Sequence, residues 1–429
     1  MQQYAFVHCG PNTFTDKEWG EGVEDPKLFN PTALDCRQWV KVFKDAGMTG
    51  VMITAKHHDG FCLWPSKFST HTVAQSPWRD GKGDVLRELS DACKAEGMKM
   101  GVYLSPWDRN HPTYGTSAYN QVFVNMLKEV LTNYGPIFEV WFDGANGEGP
   151  NGKKQVYDWP LFIKTVRECQ PNAVIFSDAG PDIRWVGNES GHSAPTCWST
   201  IDRDRYVPGT PLSSELTEGK EGGKDWVPAE CDVSIRPGWF YHANEDSKVK
   251  SPQDLLKLFE ESLGQNGSFL LNVPPDRRGL INEADIASLS AFRTLRDKVY
   301  AFDLGHGIHW TATSERGKEF SADNLSDSRP STYWAATDDA TDVILDGTLP
   351  APVTFDRVSL AEPIELGQRI SQFSIQAMVD GEWKVLARET TVGARRIVRV
   401  PTTTTTQLRI MIDGSRACPA LRSIGLFKS

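Results

Sequence analysis

An alternation of short apolar runs with amphipathic segments extends over roughly the first 300 residues, and it restricts the fold more than any other feature of the chain. Apolar runs that end abruptly in polar residues or glycine are typical of strands buried on both faces. Segments such as residues 31–47, where Leu34, Trp39 and Phe43 share one face, are typical of helices. Strands that alternate with helices through short connections lie parallel and are joined by right-handed crossovers.

Eight strand candidates can be counted in this region. Six follow directly from the apolar pattern: residues 4–8, 50–55, 98–104, 138–143, 173–176 and 268–273. The region between residues 180 and 250 is less regular, so the sixth strand is expected at 183–186 or 196–199 and the seventh at 233–234 or 239–241. Eight parallel strands predict a (β/α)₈ barrel. A doubly wound open sheet is the alternative, but no GxGxxG motif follows the first strand.

The pattern changes after about residue 303. Short alternating segments replace the helices, and turns such as Asp380-Gly381 separate them. These segments are residues 341–345, 357–360, 371–378, 383–386, 397–400 and 407–412. Their spacing is typical of an antiparallel β-sandwich. We therefore expect a barrel domain over residues 1–303 and an all-β domain over residues 304–429.

Composition argues against several classes of function. The net charge of −10 disfavours a nucleic-acid-binding protein, which needs a basic face. No apolar run approaches the roughly 20 residues that span a bilayer, so we expect no membrane segment. The eight cysteines form no CxxC pair, which disfavours a zinc or redox motif. No signal peptide opens the chain, so we expect a periplasmic or secreted protein whose signal has been removed, with a cytoplasmic protein as the alternative.

Polar and aromatic side chains gather where the first four predicted strands end. His8 follows the first strand, His57, His58 and Trp64 follow the second, Tyr103 and Trp107 the third, and Trp141 and Asp143 the fourth. The carboxyl ends of parallel barrel strands meet at one face, where barrel enzymes carry their active sites. A sugar needs hydrogen-bonding groups for its hydroxyls and aromatic faces to stack on, so the whole set predicts a carbohydrate site.

The triplet His57-His58-Asp59 also raises the possibility of a metal site. Adjacent side chains on a strand point to opposite faces, so a metal would favour a His-x-His spacing. Two adjacent histidines can face one pocket only where the strand has already ended. We therefore expect no metal ion and no cofactor.

Asp143 is the leading catalytic candidate, because it ends an apolar run and is followed at once by a glycine. A buried carboxylate is costly unless it has partners or a function. Hydrolysis of a glycosidic bond needs a second carboxyl group. The candidates are Glu189, in a glycine-flanked loop beside Arg184, and Glu230, and spacing alone does not choose between them.

Six stretches of the barrel region resemble the family 29 glycoside hydrolases, the retaining α-L-fucosidases. They are FVHCG (residues 6–10), FTDKEWG (14–20), AKHHDGF (55–61), GVYLS (101–105), WFDG (141–144) and LNVPP (271–275). Residues 185–189 are similar to the subgroup that acts on α-1,3- and α-1,4-linked fucose. The resemblance implies an exo-enzyme that releases terminal fucose from branched, Lewis-type glycans through a covalent glycosyl-enzyme. A broad-specificity α-L-fucosidase and a non-catalytic fucose-binding protein are the alternatives.

The resemblance also assigns roles to residues. It implies that Asp143 is the nucleophile and that Glu189 is the acid/base, with Glu230 as the second choice. It implies a fucose pocket lined by His8, Glu18, His57, His58, Trp64, Tyr103, Trp107, Trp141 and Arg184. The implied partner is a fucosylated oligosaccharide or glycoconjugate.

The region from about residue 310 onward resembles the discoidin-like carbohydrate-binding module appended in this family, most clearly over residues 328–336. We expect this domain to pack against the barrel rather than to bind sugar on its own.

Overall fold

The computed structural model describes residues 3–429, and its N-terminal part contains a closed barrel of parallel strands. The barrel strands are β1 (Gln3–Val7), β2 (Gly50–Lys56), β3 (Lys99–Leu104), β4 (Ile137–Trp141), β5 (Val174–Ser177), β6 (Ile183–Trp185), β9 (Ala229–Ser234) and β10 (Gly267–Asn272). Between β6 and β9, the short strands β7 (Thr200–Ile201) and β8 (Asp225–Trp226) form a separate antiparallel pair. The order around the barrel is β1, β10, β9, β6, β5, β4, β3, β2, which confirms the predicted eight-stranded barrel.

Side chains on each barrel strand alternate between the interior and the surrounding helices. On β4, Trp141 points into the barrel while Val140 belongs to the outer core. The interior is filled by Tyr4, Phe6, Met52, Tyr103, Trp141, Phe176 and Leu270. Because these side chains pack the barrel axis, a ligand site can form only at its end.

Helices cover the outside of the barrel. They are α2 (Cys36–Asp45), α3 (Val85–Glu96), α4 (Ser117–Asn133), α5 (Trp159–Cys169), α7 (Pro252–Glu261) and α8 (Glu283–Tyr300), with the single-turn helices α1 (Pro11–Thr15) and α6 (Ser214–Glu218) in the loops. The helix predicted from residue 31 begins only at Cys36, because Asp35 accepts a hydrogen bond from Arg37 N and caps it.

The irregular region contains strands that the sequence places only in part. The sixth strand, β6, lies at the first of its two predicted positions, and residues 196–199 are loop. The seventh, β9, includes residues 233–234 but begins at Ala229, while residues 239–241 are loop. The apolar pattern misses the start of β9 because the strand contains two buried acidic side chains, Glu230 and Asp232.

The C-terminal part is an antiparallel β domain, as predicted. Its strands are β11 (His309–Ala312), β12 (Trp334–Ala335), β13 (Val343–Ala361), β14 (Ile370–Val379), β15 (Glu382–Glu389), β16 (Arg396–Ser415), β17 (Ala420–Leu421) and β18 (Ser423–Phe427). The main sheet has the order β11, β13, β16, β14, β15, with β18 also paired to β13. Four of the predicted segments belong to just two long strands, β13 and β16, and the sequence misses β11 and β18.

The β domain packs against the side of the barrel through hydrogen bonds and ion pairs. Glu260 of α7 is almost fully buried and accepts hydrogen bonds from Arg357, at 3.0 Å, and from Arg399. Asn266, just before β10, accepts a hydrogen bond from the backbone N–H of Ala394 at 2.8 Å. These contacts are consistent with the expected packing role of the domain. Within residues 3–429, no helix is long and apolar enough to cross a membrane.

Candidate active site

A cavity of about 180 Å³ opens at the C-terminal ends of the barrel strands. Its walls are formed by Phe6, His8, Trp19, His57, His58, Tyr103, Trp141, Asp143, Ala145, Glu189, Asp232 and Trp239. The cavity thus brings together residues from six barrel strands or the loops that follow them. It contains most of the predicted pocket residues, including both leading carboxylate candidates, Asp143 and Glu189.

Three buried histidines form one wall of this cavity. Burial lowers the pKa of His8 to about 3, and the nearby His58 adds to this effect against the hydrogen bond to Asn272. Burial also lowers the pKa of His57 and of His58. The three imidazoles are therefore neutral near pH 7, and each can donate one hydrogen bond and accept another. This suits them to sugar hydroxyls, which also donate and accept.

The adjacent residues His57 and His58 both face the cavity because β2 ends at Lys56. Beyond that point the alternation of strand side chains no longer applies. His58 Nδ1 lies 2.8 Å from Ser105 Oγ, which fixes the ring, and Nε2 lies 3.6 Å from Asp143 Oδ2. No group of His, Cys, Asp and Glu suited to a metal ion occurs in the part of the chain that the structure describes.

Asp143 lies two residues beyond the end of β4, and its side chain keeps 27 % of its surface exposed. Oδ2 accepts a hydrogen bond from Tyr103 Oη at 2.9 Å, and Oδ1 accepts one from Ala145 N at 2.8 Å. Burial and the neighbouring Asp143 carboxylate raise the pKa of Tyr103 well above its usual value, so this phenol stays a donor. Asp143 is thus held in one orientation while remaining accessible from the cavity.

Glu189 lies in the loop after β6, between Gly187 and Gly191, whose φ angles of 85° and 79° suit glycine. Its Oε2 accepts a hydrogen bond from Trp239 Nε1 at 3.2 Å. Trp239 in turn lies over His8, with ring centroids 5.1 Å apart. Glu189 is therefore placed at the cavity by an aromatic residue from another loop.

A second cavity of about 160 Å³ adjoins the first. The two share Trp141, Asp143, Ala145, Glu189 and Asp232, and the second is closed by Phe142, Gly144, Phe176, Asp178 and Trp185. Asp143 and Glu189 therefore lie on the wall common to both cavities. A molecule that spans the two would pass both carboxylates.

Glu230 does not line either cavity, which corrects its place as second choice for the acid/base. It is fully buried inside the barrel, where Oε1 accepts from Trp141 Nε1 at 2.9 Å and Oε2 accepts from Ser268 Oγ at 3.0 Å and from Tyr4 Oη. Burial raises the pKa of Glu230 to about 8, so it carries a proton near neutral pH. Its position is beneath Trp141.

Four predicted pocket residues line neither cavity: Glu18, Trp64, Trp107 and Arg184. The guanidinium of Arg184 is fully buried, and it donates to the carbonyl oxygens of Leu216 at 2.7 Å, of Trp198 at 2.8 Å and of Val227. It points outward because Ile183 and Trp185, its neighbours on β6, pack on the barrel interior. Arg184 therefore stabilises the loops behind the site.

The prediction for Trp64 is also corrected, because its ring belongs to the outer core. Its indole N–H donates to Glu129 of α4 at 3.0 Å. Trp107 packs behind His58, with ring centroids 4.7 Å apart, and its N–H donates to Glu148 O at 3.0 Å. Glu18 lies beside the cavity residue Trp19 and accepts hydrogen bonds from the backbone after β9.

Several cavity residues have no role predicted from the sequence. Among them are Trp19, Asp178, Trp185, Asp232 and Trp239, the last three of which come from β6, β9 and the loop after β9. Asp232 Oδ1 accepts a hydrogen bond from Trp185 Nε1 at 2.7 Å. The spacing of Glu230, Asp232 and Ser234 at every second position on one strand is the signal that could have revealed Asp232.

A packed parallel barrel with two accessible carboxylates, neutral histidines and aromatic walls at the C-terminal strand ends is the arrangement of a glycoside hydrolase. Comparison with known proteins agrees. Residues 9–294 match the family described as alpha-L-fucosidase, and residues 309–423 match the F5/8 type C domain. The chain belongs to the α-L-fucosidase family, glycoside hydrolase family 29, and is an α-L-fucosidase with a discoidin-like C-terminal domain.

Individual relatives are similar over the whole chain. "Alpha-L-fucosidase 1" from Arabidopsis thaliana is 42 % identical over 429 residues, which cover 98 % of this chain and 84 % of the relative. The crystal structure of SpGH29 is 40 % identical, with a TM-score of 0.96 and coverage of 100 % of this chain and 95 % of the other. A Ruminococcus gnavus GH29 fucosidase in complex with fucose is 33 % identical, with a TM-score of 0.92 and coverage of 100 % and 92 %.

Proposed function

We propose that this α-L-fucosidase works with retention of configuration and releases fucose linked α-1,3 or α-1,4 in branched, Lewis-type glycans. Asp143 is the proposed nucleophile and Glu189 the proposed acid/base. The observation that carries this proposal is the position of both carboxylates on the wall common to two cavities. One cavity can hold the fucose and the other the sugar that leaves, with the glycosidic bond between them.

Asp143 suits the role of nucleophile because it is oriented and accessible. Tyr103 and Ala145 hold its two oxygens, and the 27 % exposure leaves it open to the cavity. In the first step an Asp143 oxygen forms a bond to the anomeric carbon of fucose as the bond from that carbon to the glycosidic oxygen breaks.

Glu189 suits the role of acid/base because it faces Asp143's cavity from another loop. It donates its proton to the leaving glycosidic oxygen in the first step. In the second step the ionised Glu189 takes a proton from a water molecule, whose oxygen attacks the anomeric carbon and displaces Asp143. This mechanism requires that the two carboxyl groups stand about 5–5.5 Å apart.

The remaining walls account for recognition of the sugar. In this proposal the neutral His8, His57 and His58 form hydrogen bonds with the ring hydroxyls of fucose. Trp19 and Trp239 offer apolar faces for its ring and methyl group. In the second cavity, Asp178 and Trp185 offer a carboxyl group and an aromatic face to the leaving sugar. A branched glycan supplies more than one sugar on that side.

The linkage preference is tested by fucose release from a Lewis-type trisaccharide, with an α-1,2-fucosylated oligosaccharide as the matched control. We expect the first to be cleaved and the second to be spared. Equal release from both would point instead to the broad-specificity alternative. Proton NMR of the first fucose anomer formed tests retention, and initial formation of the β anomer would contradict the proposed mechanism.

A further inference from the structure

His242 is a buried histidine near the cavity that the proposed mechanism does not use. It lies in the connection from β9 to α7, with Nδ1 2.8 Å from Asp16 Oδ1 and Nε2 2.6 Å from Glu18 Oε1. Both acceptors are carboxylates in the segment after α1. A neutral imidazole can donate from only one nitrogen, so the two short contacts are satisfied together only by the protonated ring.

Glu18 connects this histidine to the backbone of the cavity wall. Its Oε2 accepts a hydrogen bond from Trp239 N at 2.7 Å, and its Oε1 accepts one from Phe240 N at 3.2 Å. Gly238 lies against the same group, since a Cβ atom there would come within 2.5 Å of Glu18 Oε1 and 3.0 Å of the His242 ring. The close approach of the two segments therefore depends on glycine at this position.

Trp239 links Glu18 to the cavity residue Glu189. Its indole N–H donates to Glu189 Oε2 at 3.2 Å, and its carbonyl accepts from Asn272 Nδ2 at 2.8 Å. On the other side, Trp19 follows Glu18 directly and packs edge-on against His58, with ring centroids 5.8 Å apart. An unbroken series of hydrogen bonds thus runs from His242 through Glu18 and Trp239 to Glu189.

We propose that His242 is a positioning residue for the fucosidase reaction. The imidazolium is hydrogen-bonded to both Asp16 and Glu18, and we name these three residues the His242 clamp. The clamp fixes the two tryptophans that line the cavity, Trp19 and Trp239, and through Trp239 it fixes Glu189. His242 itself does not line the cavity, so it acts through Glu18. The Glu189 end of this proposal rests on the proposed function.

The clamp should respond to pH. Asp16 and Glu18 face His242 from the α1 segment, Glu245 lies on its own segment and bonds to Gly238 N, and Arg277 approaches Asp16 Oδ1 to 4.0 Å. Burial lowers the pKa of His242, but the hydrogen bonds to Asp16 and Glu18 outweigh it and raise the pKa above 6.5. A group whose pKa is raised by folding stabilises the folded state while it is protonated, and this stabilisation is lost as pH rises through the folded pKa.

The test compares His242→Gln with His309→Gln. His309 is the matched control, since it pairs with Asp323 at 3.1 Å on the exposed surface of the β domain. We expect His242→Gln to reduce kcat for fucose release from a Lewis-type trisaccharide by about 10- to 100-fold at pH 6, because small misplacements of catalytic groups cost that much. Because Glu189 must also keep its proton, an alkaline decline of kcat remains in every variant, but its midpoint should differ from wild type in His242→Gln and match wild type in His309→Gln.

A second readout separates this proposal from the proposed function. Binding of L-fucose, measured by calorimetry, needs the tryptophan walls but no proton transfer, and His242→Gln should weaken it. If Glu189→Ala proves fully active, Glu189 leaves the mechanism, while weakened L-fucose binding in His242→Gln would still support the clamp. Unchanged turnover, pH profile and L-fucose binding in His242→Gln would overturn the clamp whatever Glu189 does.

Asp16→Asn is a second test variant, to be used if His242→Gln fails to fold. Asp16 is half exposed, and Asp16→Asn replaces one of the two carboxylates that favour the imidazolium by a neutral amide. The alkaline decline of kcat should then move to lower pH. An alkaline decline that stays at its wild-type position in Asp16→Asn would overturn the proposal.

Discussion

Trp141 and Glu230 meet inside the barrel, where the indole N–H of Trp141 donates to Glu230 Oε1 at 2.9 Å. Trp141 lines the cavity, while Glu230 lies beneath it with its carboxyl group fully buried. The carboxyl group therefore supports the floor of the cavity and cannot reach a glycosidic oxygen. Two glutamates that the sequence leaves equivalent are thus separated by depth along the barrel axis.

Removal of the two glutamates should have different kinetic consequences. Glu189→Ala should lower fucose release from a natural glycan by about 10²–10⁴-fold, the usual contribution of a general acid/base. With α-L-fucosyl fluoride as substrate, azide should restore its turnover by attacking the glycosyl-enzyme without general-base help. Glu230→Ala should lose activity without such recovery. Azide rescue of Glu230→Ala alone would reverse the assignment.

The buried Glu230 should also make stability depend on pH. Its pKa is about 8 in the folded protein, against an ordinary value of 4.5. Between these values the folded protein keeps a proton on Glu230 that the unfolded chain releases, so the contribution of Glu230 to stability falls as pH rises, by up to about 1.4 kcal/mol per pH unit. Glutamine does not titrate. The free energy of unfolding of Glu230→Gln, relative to wild type, should therefore increase from pH 5 to pH 8.

Urea unfolding of both proteins at each pH checks this expectation. Glu319→Gln, on the exposed surface of the β domain, is the matched control and should follow the wild-type curve. Parallel curves for Glu230→Gln and wild type would show that Glu230 is ionised inside the barrel.

Asp143→Ala should abolish fucose release while the protein stays folded. Its side chain makes hydrogen bonds to Tyr103 and Ala145 and is partly exposed, so its loss costs little packing. A mechanism-based fluorinated fucoside should label the wild-type peptide that contains Asp143. Asp178→Asn, at the second cavity, should still be labelled at Asp143. A label found on any other residue would refute the assignment.

Arg184→Met should destabilise the protein without changing substrate affinity. The substitution leaves the carbonyl groups of Leu216, Trp198 and Val227 buried without their donor, at about 1–3 kcal/mol each. The melting temperature should fall, whereas KM of the folded fraction should match wild type. A raised KM at an unchanged melting temperature would place Arg184 in the substrate site after all.

The parts of the site that the sequence predicts are those that depend on local rules. The apolar run indicates that the second strand ends near residue 55, so the sequence allows His57 and His58 to share one pocket, and both line the cavity. Arg184 was misplaced because proximity to Glu189 along the chain does not fix the direction of a side chain, and alternation along β6 turns it outward. Trp239 could not be predicted, since its place depends on Glu18 and Asn272, both distant in sequence.

The long strands of the β domain show the same limit. Residues 341–345 and 357–360 have alternating patterns, but the Pro and Gly residues between them are typical of a turn. The structure carries β13 through this stretch because β16 pairs with it on both sides of the irregular register at Thr348/Val353. Pairing with a distant partner outweighs the local preference of the chain.

The salt bridges of Glu260 connect the barrel to the β domain. This acid is buried on the barrel, yet both of its arginine partners, Arg357 and Arg399, belong to the β domain. A barrel produced without the β domain would keep Glu260 but lose its partners, Arg357 and Arg399. Attempts to shorten this enzyme, or to exchange its C-terminal half for that of another fucosidase, must therefore carry a pair of matching cations or replace Glu260 as well.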